Sequence, residues 1–126
     1  MDKYEVMATK TTPYILLDPQ SGELLLAGES WPENAMDVFH PLFEKLDEYF
    51  ALDKEQLRVE VKLDYHNTSS QKLMRELIFR LQHAKDSDKT VILNLYYLDG
   101  DTDMMEDWEE LMDDMSLDYK ILERTD

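Results

Sequence analysis

An imidazole, a carboxamide and three hydroxyls stand in one unbroken run, His66-Asn67-Thr68-Ser69-Ser70, where an alternating pattern ends and a helical pattern begins. Three kinds of chemistry use such residues. Asn, Ser and Thr side chains accept hydrogen bonds from the free amides of a helix start, and a cap needs only one of them. Those amides, with roughly half an elementary positive charge at the helix N-terminus, also favour an anion. A phosphate on Thr68, Ser69 or Ser70 would be tolerated there, with Lys72 one turn along. The third possibility is nucleophilic catalysis, with His66 as base to Ser69 or Ser70. That reading needs a group to orient the base. The sequence offers no Gly-x-Ser-x-Gly elbow and no acidic residue at a compelling position. On these residues alone capping, modification and hydrolysis all stay open, and the excess of hydroxyls over what a cap requires has to be explained.

Other reactive groups carry less. His40 sits beside Pro41 within a helical pattern and His83 late in another, and both read as surface or packing residues. Asp99, Asp101, Asp103 and Glu110 mimic the ligand spacing of a calcium loop. Met104 occupies the place where its sharp turn needs Gly, and a strand pattern precedes it, so no metal is expected. No Cys is present, which excludes disulfides, thiolate metal sites and a Cys nucleophile. No cofactor is expected.

The chain has 126 residues, enough for one domain with one core, and 43% of them are apolar with only three Gly, the profile of a globular chain. No apolar run approaches the roughly 20 residues of a membrane span, and MDKYEVMATK lacks a signal peptide's layout. A cytoplasmic protein is expected. The net charge of −16 disfavours nucleic acid and anionic lipid as partners. The acidity is uneven: from Asp99 to Asp114 there are nine acidic residues and no Lys or Arg.

These groups must be held by regular elements. Pro13 to Asp18 and Glu23 to Glu29 flank the turn signal Pro19-Gln20-Ser21-Gly22 and predict a hairpin. Residues before Thr12 fray or add an edge strand. Ser30-Trp31-Pro32-Glu33 fits a capping box, with Ser30 as N-cap and Glu33 reaching back. A helix follows with Met36, Phe39, Leu42, Phe43, Leu46, Tyr49 and Phe50 on one face, and Pro41 predicts a bend in it. Leu57, Val59, Val61, Leu63 and Tyr65 alternate with charged residues, so one face of that strand is buried and helices cover only one side of the sheet. Leu73, Met74, Leu77, Ile78, Leu81 and Ala84 mark the helix after the hydroxyl run. Thr90 to Tyr97 is a central strand, residues 104–115 a methionine-rich helix suited to a core or to docking, and Leu117 to Leu122 a last short strand. The order ββαβαβαβ implies a two-layer α/β domain with a largely parallel section of sheet and functional residues at the strands' carboxyl ends.

Tyr65-His66-Asn67-Thr68-Ser69-Ser70 resembles the signature of the SiaC family of bacterial regulatory phosphoproteins, in which a strand ends in Asn-Thr-Ser-Ser. Gly28-Glu29-Ser30-Trp31-Pro32-Glu33-Asn34-Ala35 is similar to the family's second hallmark, and Tyr96-Tyr97 through Asp101, Asp103, Met104 and Glu106 to its aromatic-then-acidic region. His66 departs from the more apolar residue expected before Asn67. The resemblance spans nearly the whole chain from Thr12, which reads as one SiaC-like domain over residues 1–126. It implies a STAS-like mixed sheet with helices on one face and no catalytic residues. It also implies Thr68 as a phosphothreonine set by a protein kinase and cleared by a PPM-type phosphatase, and an unmodified form that activates a diguanylate cyclase, which makes cyclic di-GMP. Candidate partner-binding residues are Trp31, Glu33, Asn34, Asn67, Ser69, Ser70 and Lys72. A switch acting on an anti-sigma factor is the alternative within signalling.

Overall fold

The computed structural model describes residues 1–125 and consists of one six-stranded sheet and three helices. The elements are β1 (Tyr4–Val6), β2 (Tyr14–Asp18), β3 (Glu23–Ser30), α1 (Ala35–Ala51), β4 (Gln56–His66), α2 (Thr68–Asp86), β5 (Thr90–Leu98), α3 (Thr102–Met112) and β6 (Asp118–Arg124). The strands lie in the sheet in chain order; β1, β2 and β3 pair antiparallel, and β3 through β6 pair parallel. The mixed α/β sheet agrees with the expected order, with β1 as the added edge strand. The hairpin turns on Gly22, whose φ is +71° and whose amide donates to the Asp18 carbonyl. A Cβ there would also stand 3.3 Å from the Tyr49 hydroxyl and from the Gln56 carbonyl.

Each parallel crossover carries one helix, and a sheet whose strands follow in order with right-handed crossovers receives every helix on the same side. The burial agrees. Leu24 and Leu26 of β3, Leu57, Val59, Val61 and Leu63 of β4, and Val91, Leu93 and Leu95 of β5 are buried, while the residues alternating with them are half-buried or exposed. The buried row meets Phe39, Leu42, Leu46 and Tyr49 of α1, Met74, Leu77, Ile78 and Leu81 of α2, and Met104, Trp108 and Met112 of α3 in one apolar core. Met104 and Met112 of α3 therefore belong to the core, and Met105 is half-buried. The helix runs from 102 to 112, so Met115 lies beyond its end, half-buried against the core. α1 continues as one helix through Pro41.

Two local expectations are corrected. The alternation places Tyr65 in the buried row of β4, but the register between β3 and β4 shifts after Gly28↔Leu63, and the next pairs are Glu29↔Tyr65 and Ser30↔His66. One extra β4 residue, Asp64, is a bulge that reverses the alternation behind it. Tyr65 is consequently 51% exposed and His66 only 5%. Second, Ser30 does not cap α1. It is the last residue of β3, wholly buried, and the N-cap is Asn34, whose Oδ1 accepts from the Met36 amide at 3.2 Å. Pairing with β4 holds Ser30 in the sheet, so the chain passes Trp31 and Pro32 before it turns into the helix, and Glu33 precedes the cap instead of reaching back.

Candidate functional site

The hydroxyl run begins where β4 ends, at the carboxyl edge of the parallel sheet, and each member has a different task. Asn67 is the N-cap of α2: its Oδ1 accepts from the Ser70 amide at 2.9 Å and its carbonyl from the Gln71 amide at 2.9 Å. Its own amide donates to the Ser30 carbonyl at 2.9 Å. Ser70 is wholly buried, and its Oγ lies 2.7 Å from the Ser30 Oγ. The two sequence hallmarks therefore meet in space, joined by one main-chain and one hydroxyl–hydroxyl hydrogen bond across the end of the sheet. The helix-start amides of Thr68 and Ser69 have no protein partner among the described residues. The side chains of Thr68 and Ser69 are exposed, and they are the hydroxyls of the run that solvent and a partner can reach.

The exposed pair looks out on two different surroundings. Thr68 lines a depression of about 280 Å3 with Asp64, Tyr65, Asp101, Asp103 and Asp107. Asp101 is the N-cap of α3, accepting from the Met104 amide at 3.0 Å, so the acidic stretch begins at Thr68's own wall. Asp64 pairs with Arg124 from β6. Ser69 and Lys72 line a smaller depression of about 230 Å3 with Glu33, Asn34, Met36 and Leu73. Glu33, Asn34, Ser69 and Lys72 are thus brought together between the starts of α1 and α2. Trp31 stands nearby, its amide on the Thr11 carbonyl at 2.8 Å and its indole Nε1 donating to Glu29 at 3.0 Å. Trp31, Met36 and Tyr65 are exposed large apolar side chains at this one end of the molecule.

His66 points inward. Its Nε2 lies 3.1 Å from Asp107 Oδ2, and its ring meets the Trp108 indole edge-on with centroids 5.0 Å apart. The Trp108 Nε1 donates to the Tyr96 carbonyl at 3.0 Å. His66 therefore fills an interior position and fastens α3 to the end of β4. A hydrolase built on His66 and Ser70 lacks its first contact, since the imidazole is bonded to Asp107 and the Ser70 hydroxyl to Ser30. No group of acidic residues or histidines among the described residues is arranged to hold a metal ion. Sequence reasoning missed Asp107 and the exposure of Tyr65. Nothing in the local pattern announces a partner 41 positions away or a bulge at Asp64.

The fold and site define a small one-sided mixed α/β domain that presents an exposed threonine at a helix start, braced from behind by buried hydroxyls. Comparison with known proteins is consistent with that class. The profile described as SiaC family regulatory phosphoprotein matches residues 6–124, and the chain belongs to this family. It is 30% identical over 121 residues to an uncharacterised protein of Pseudomonas aeruginosa strain UCBPP-PA14, covering 96% of each. Among solved structures it resembles apo-SiaC of Pseudomonas aeruginosa, with a TM-score of 0.88 and 29% identity over 97% of this chain and 99% of that one. It also resembles the structure of the diguanylate cyclase SiaD in complex with its activator SiaC from the same organism, with a TM-score of 0.91 and 29% identity over 96% and 99%. No helix among the described residues is long and apolar enough to cross a membrane.

Proposed function

We propose that this chain is a cytoplasmic, non-enzymatic switch protein, one regulatory domain, whose unmodified form binds and activates a diguanylate cyclase and is released when Thr68 is phosphorylated. The observation that carries the reading is the division of labour within the hydroxyl run. Asn67 and Ser70 are committed to holding the helix start, whereas Thr68 stands open at its first position. A dedicated protein kinase forms an Oγ–P bond on Thr68, releasing a nucleoside diphosphate and the hydroxyl proton, and a PPM-type phosphatase hydrolyses it. The cyclase comes into the reading from the SiaD–SiaC complex, to whose activator subunit this chain is similar along nearly its full length.

Electrostatics supply the switch. Phosphorylation adds about −1.5 to −2 charges. Asp64, Asp101, Asp103 and Asp107 line the depression that receives it. The helix-start amides of Thr68 and Ser69 make the phosphate locally acceptable, while the surrounding surface becomes more anionic and bulkier toward anything docked on it. Trp31, Met36 and Tyr65 with Glu33, Asn34, Ser69 and Lys72 form the docking rim. A loss of about 1.4 kcal/mol there weakens a complex tenfold, so no change of fold is required. Incubation with the cognate kinase and ATP, followed by peptide mapping, tests the reading: a phosphate placed elsewhere than Thr68 overturns it.

A further inference from the structure

A broad concavity lies away from Thr68. It is a groove of about 530 Å3 between the C-terminal halves of α1 and α2, and Glu76, its lining residue nearest to Thr68 in sequence, is already more than two helical turns along α2. Phe79 stands out of it 47% exposed, and beside that ring Ala51 and Ala84, together with Leu46 and Phe50, leave a hollow. A protruding ring next to an apolar hollow on the same face is self-complementary, because a two-fold axis puts each ring opposite the other copy's hollow.

The charges favour the same occupant. The chain carries −16 overall, and most of its surface repels a second copy. The groove is lined by two acidic residues, Asp47 and Glu76, and two basic ones, Arg80 and Lys89. Its signs are also ordered. Asp47 and Glu76 come first along the two helices, which run parallel to each other, and Lys89 lies past their C-terminal ends, donating to the Lys54 carbonyl at 2.8 Å. A two-fold axis passing between Phe79 and the hollow reverses that order in the partner and sets each acidic end against a basic one. Arg80 lies over the Phe43 ring at 4.6 Å and bonds Asp47 at 3.1 Å, so the middle of the groove is already rigid.

We propose that the α1/α2 groove is the contact of a two-fold homodimer, with Phe79 of each copy in the hollow of the other. The resulting order of layers is sheet, helices, helices, sheet. Both Thr68 rims remain outside the contact, so dimerisation and switching are separate properties of the chain.

Sedimentation equilibrium of the full chain, up to hundreds of micromolar, tests this together with three exposed-site variants. The expected result is a reversible dimer that Phe79→Asp converts to monomer. Phe79→Leu retains it, and so does Tyr119→Asp, which alters an exposed ring on β6. Circular dichroism of Phe79→Asp matching the parent shows that the fold is kept; should that variant unfold, Ala51→Asp at the exposed edge of the hollow takes its place. A monomer throughout the range, or a dimer indifferent to both substitutions, overturns the proposal.

Discussion

The Oγ atoms of Ser30 and Ser70 lie 2.7 Å apart in a buried contact that joins the end of β3 to the first turn of α2. Removing either hydroxyl leaves the other without its partner inside the fold. Ser30→Ala and Ser70→Ala should each cost about 1–3 kcal/mol, and the double variant should cost clearly less than the sum of the two. Urea unfolding of the four proteins measures the coupling; strict additivity would mean that the contact contributes nothing.

Asn67 holds the helix start by its side chain as well as its main chain. Asn67→Ala should destabilise the protein by about 1 kcal/mol, while Asn67→Asp, which keeps an accepting oxygen, should stay near the parent. Thermal unfolding of both variants reads this directly.

Thr68 and Ser69 are both exposed, and the reading assigns the modification to one of them. Mass spectrometry after treatment with kinase and ATP should find one phosphate per chain, lost in Thr68→Ala and retained in Ser69→Ala. Ser70→Ala should also retain it, because its hydroxyl is turned into the fold.

The rim prediction concerns one exposed aromatic side chain and one helix cap. Trp31→Ala, which removes an exposed indole, should weaken binding of the cyclase by more than about 1 kcal/mol with stability nearly unchanged, as an aromatic anchor does. Asn34→Ala should weaken it less and also loosen the start of α1. Calorimetric titration of both variants beside the parent decides whether this rim is the docking surface.

Burial raises the Tyr49 phenol above its ordinary value, and its hydroxyl donates to the Gln56 carbonyl. A group whose pKa rises on folding contributes stability that is whole below its unfolded value, about 10 for Tyr, and is lost as pH rises through the folded one. Alkaline titration of stability should therefore steepen above about pH 10. Tyr49→Phe should flatten that loss.

Much of the architecture was legible because it follows from periodicity. Leu57, Val59, Val61 and Leu63 alternate with charged residues, and an alternation of that kind requires one covered face. The helices were legible as stripes for the same reason. What escaped were departures from period. The bulge at Asp64 leaves no mark in composition, yet it exchanges Tyr65 for His66 at the core and exposes an aromatic on the rim. Ser30 fits the spacing of a capping box, and only its pairing with His66 reveals that the strand still holds it. Asp107 reads as one more charge in an acidic helix until α3 packs beside the end of β4. Phe79 falls among polar residues on α2, and its significance depends on what α1 leaves uncovered next to it. Thr68, Ser69 and Ser70 stood out together as excess hydroxyls at a helix start, and only the family resemblance singled out Thr68. Which hydroxyls were excess and which structural needed the contacts of Asn67 and Ser70.

The most direct measurement is the affinity of the cognate diguanylate cyclase for two forms of this chain, unmodified and phosphorylated at Thr68, determined by calorimetry under one set of conditions. Binding by the unmodified form and a loss of at least about tenfold on phosphorylation, equivalent to about 1.4 kcal/mol, is the predicted result. Equal affinity of the two forms would contradict a switch worked by charge at the start of α2.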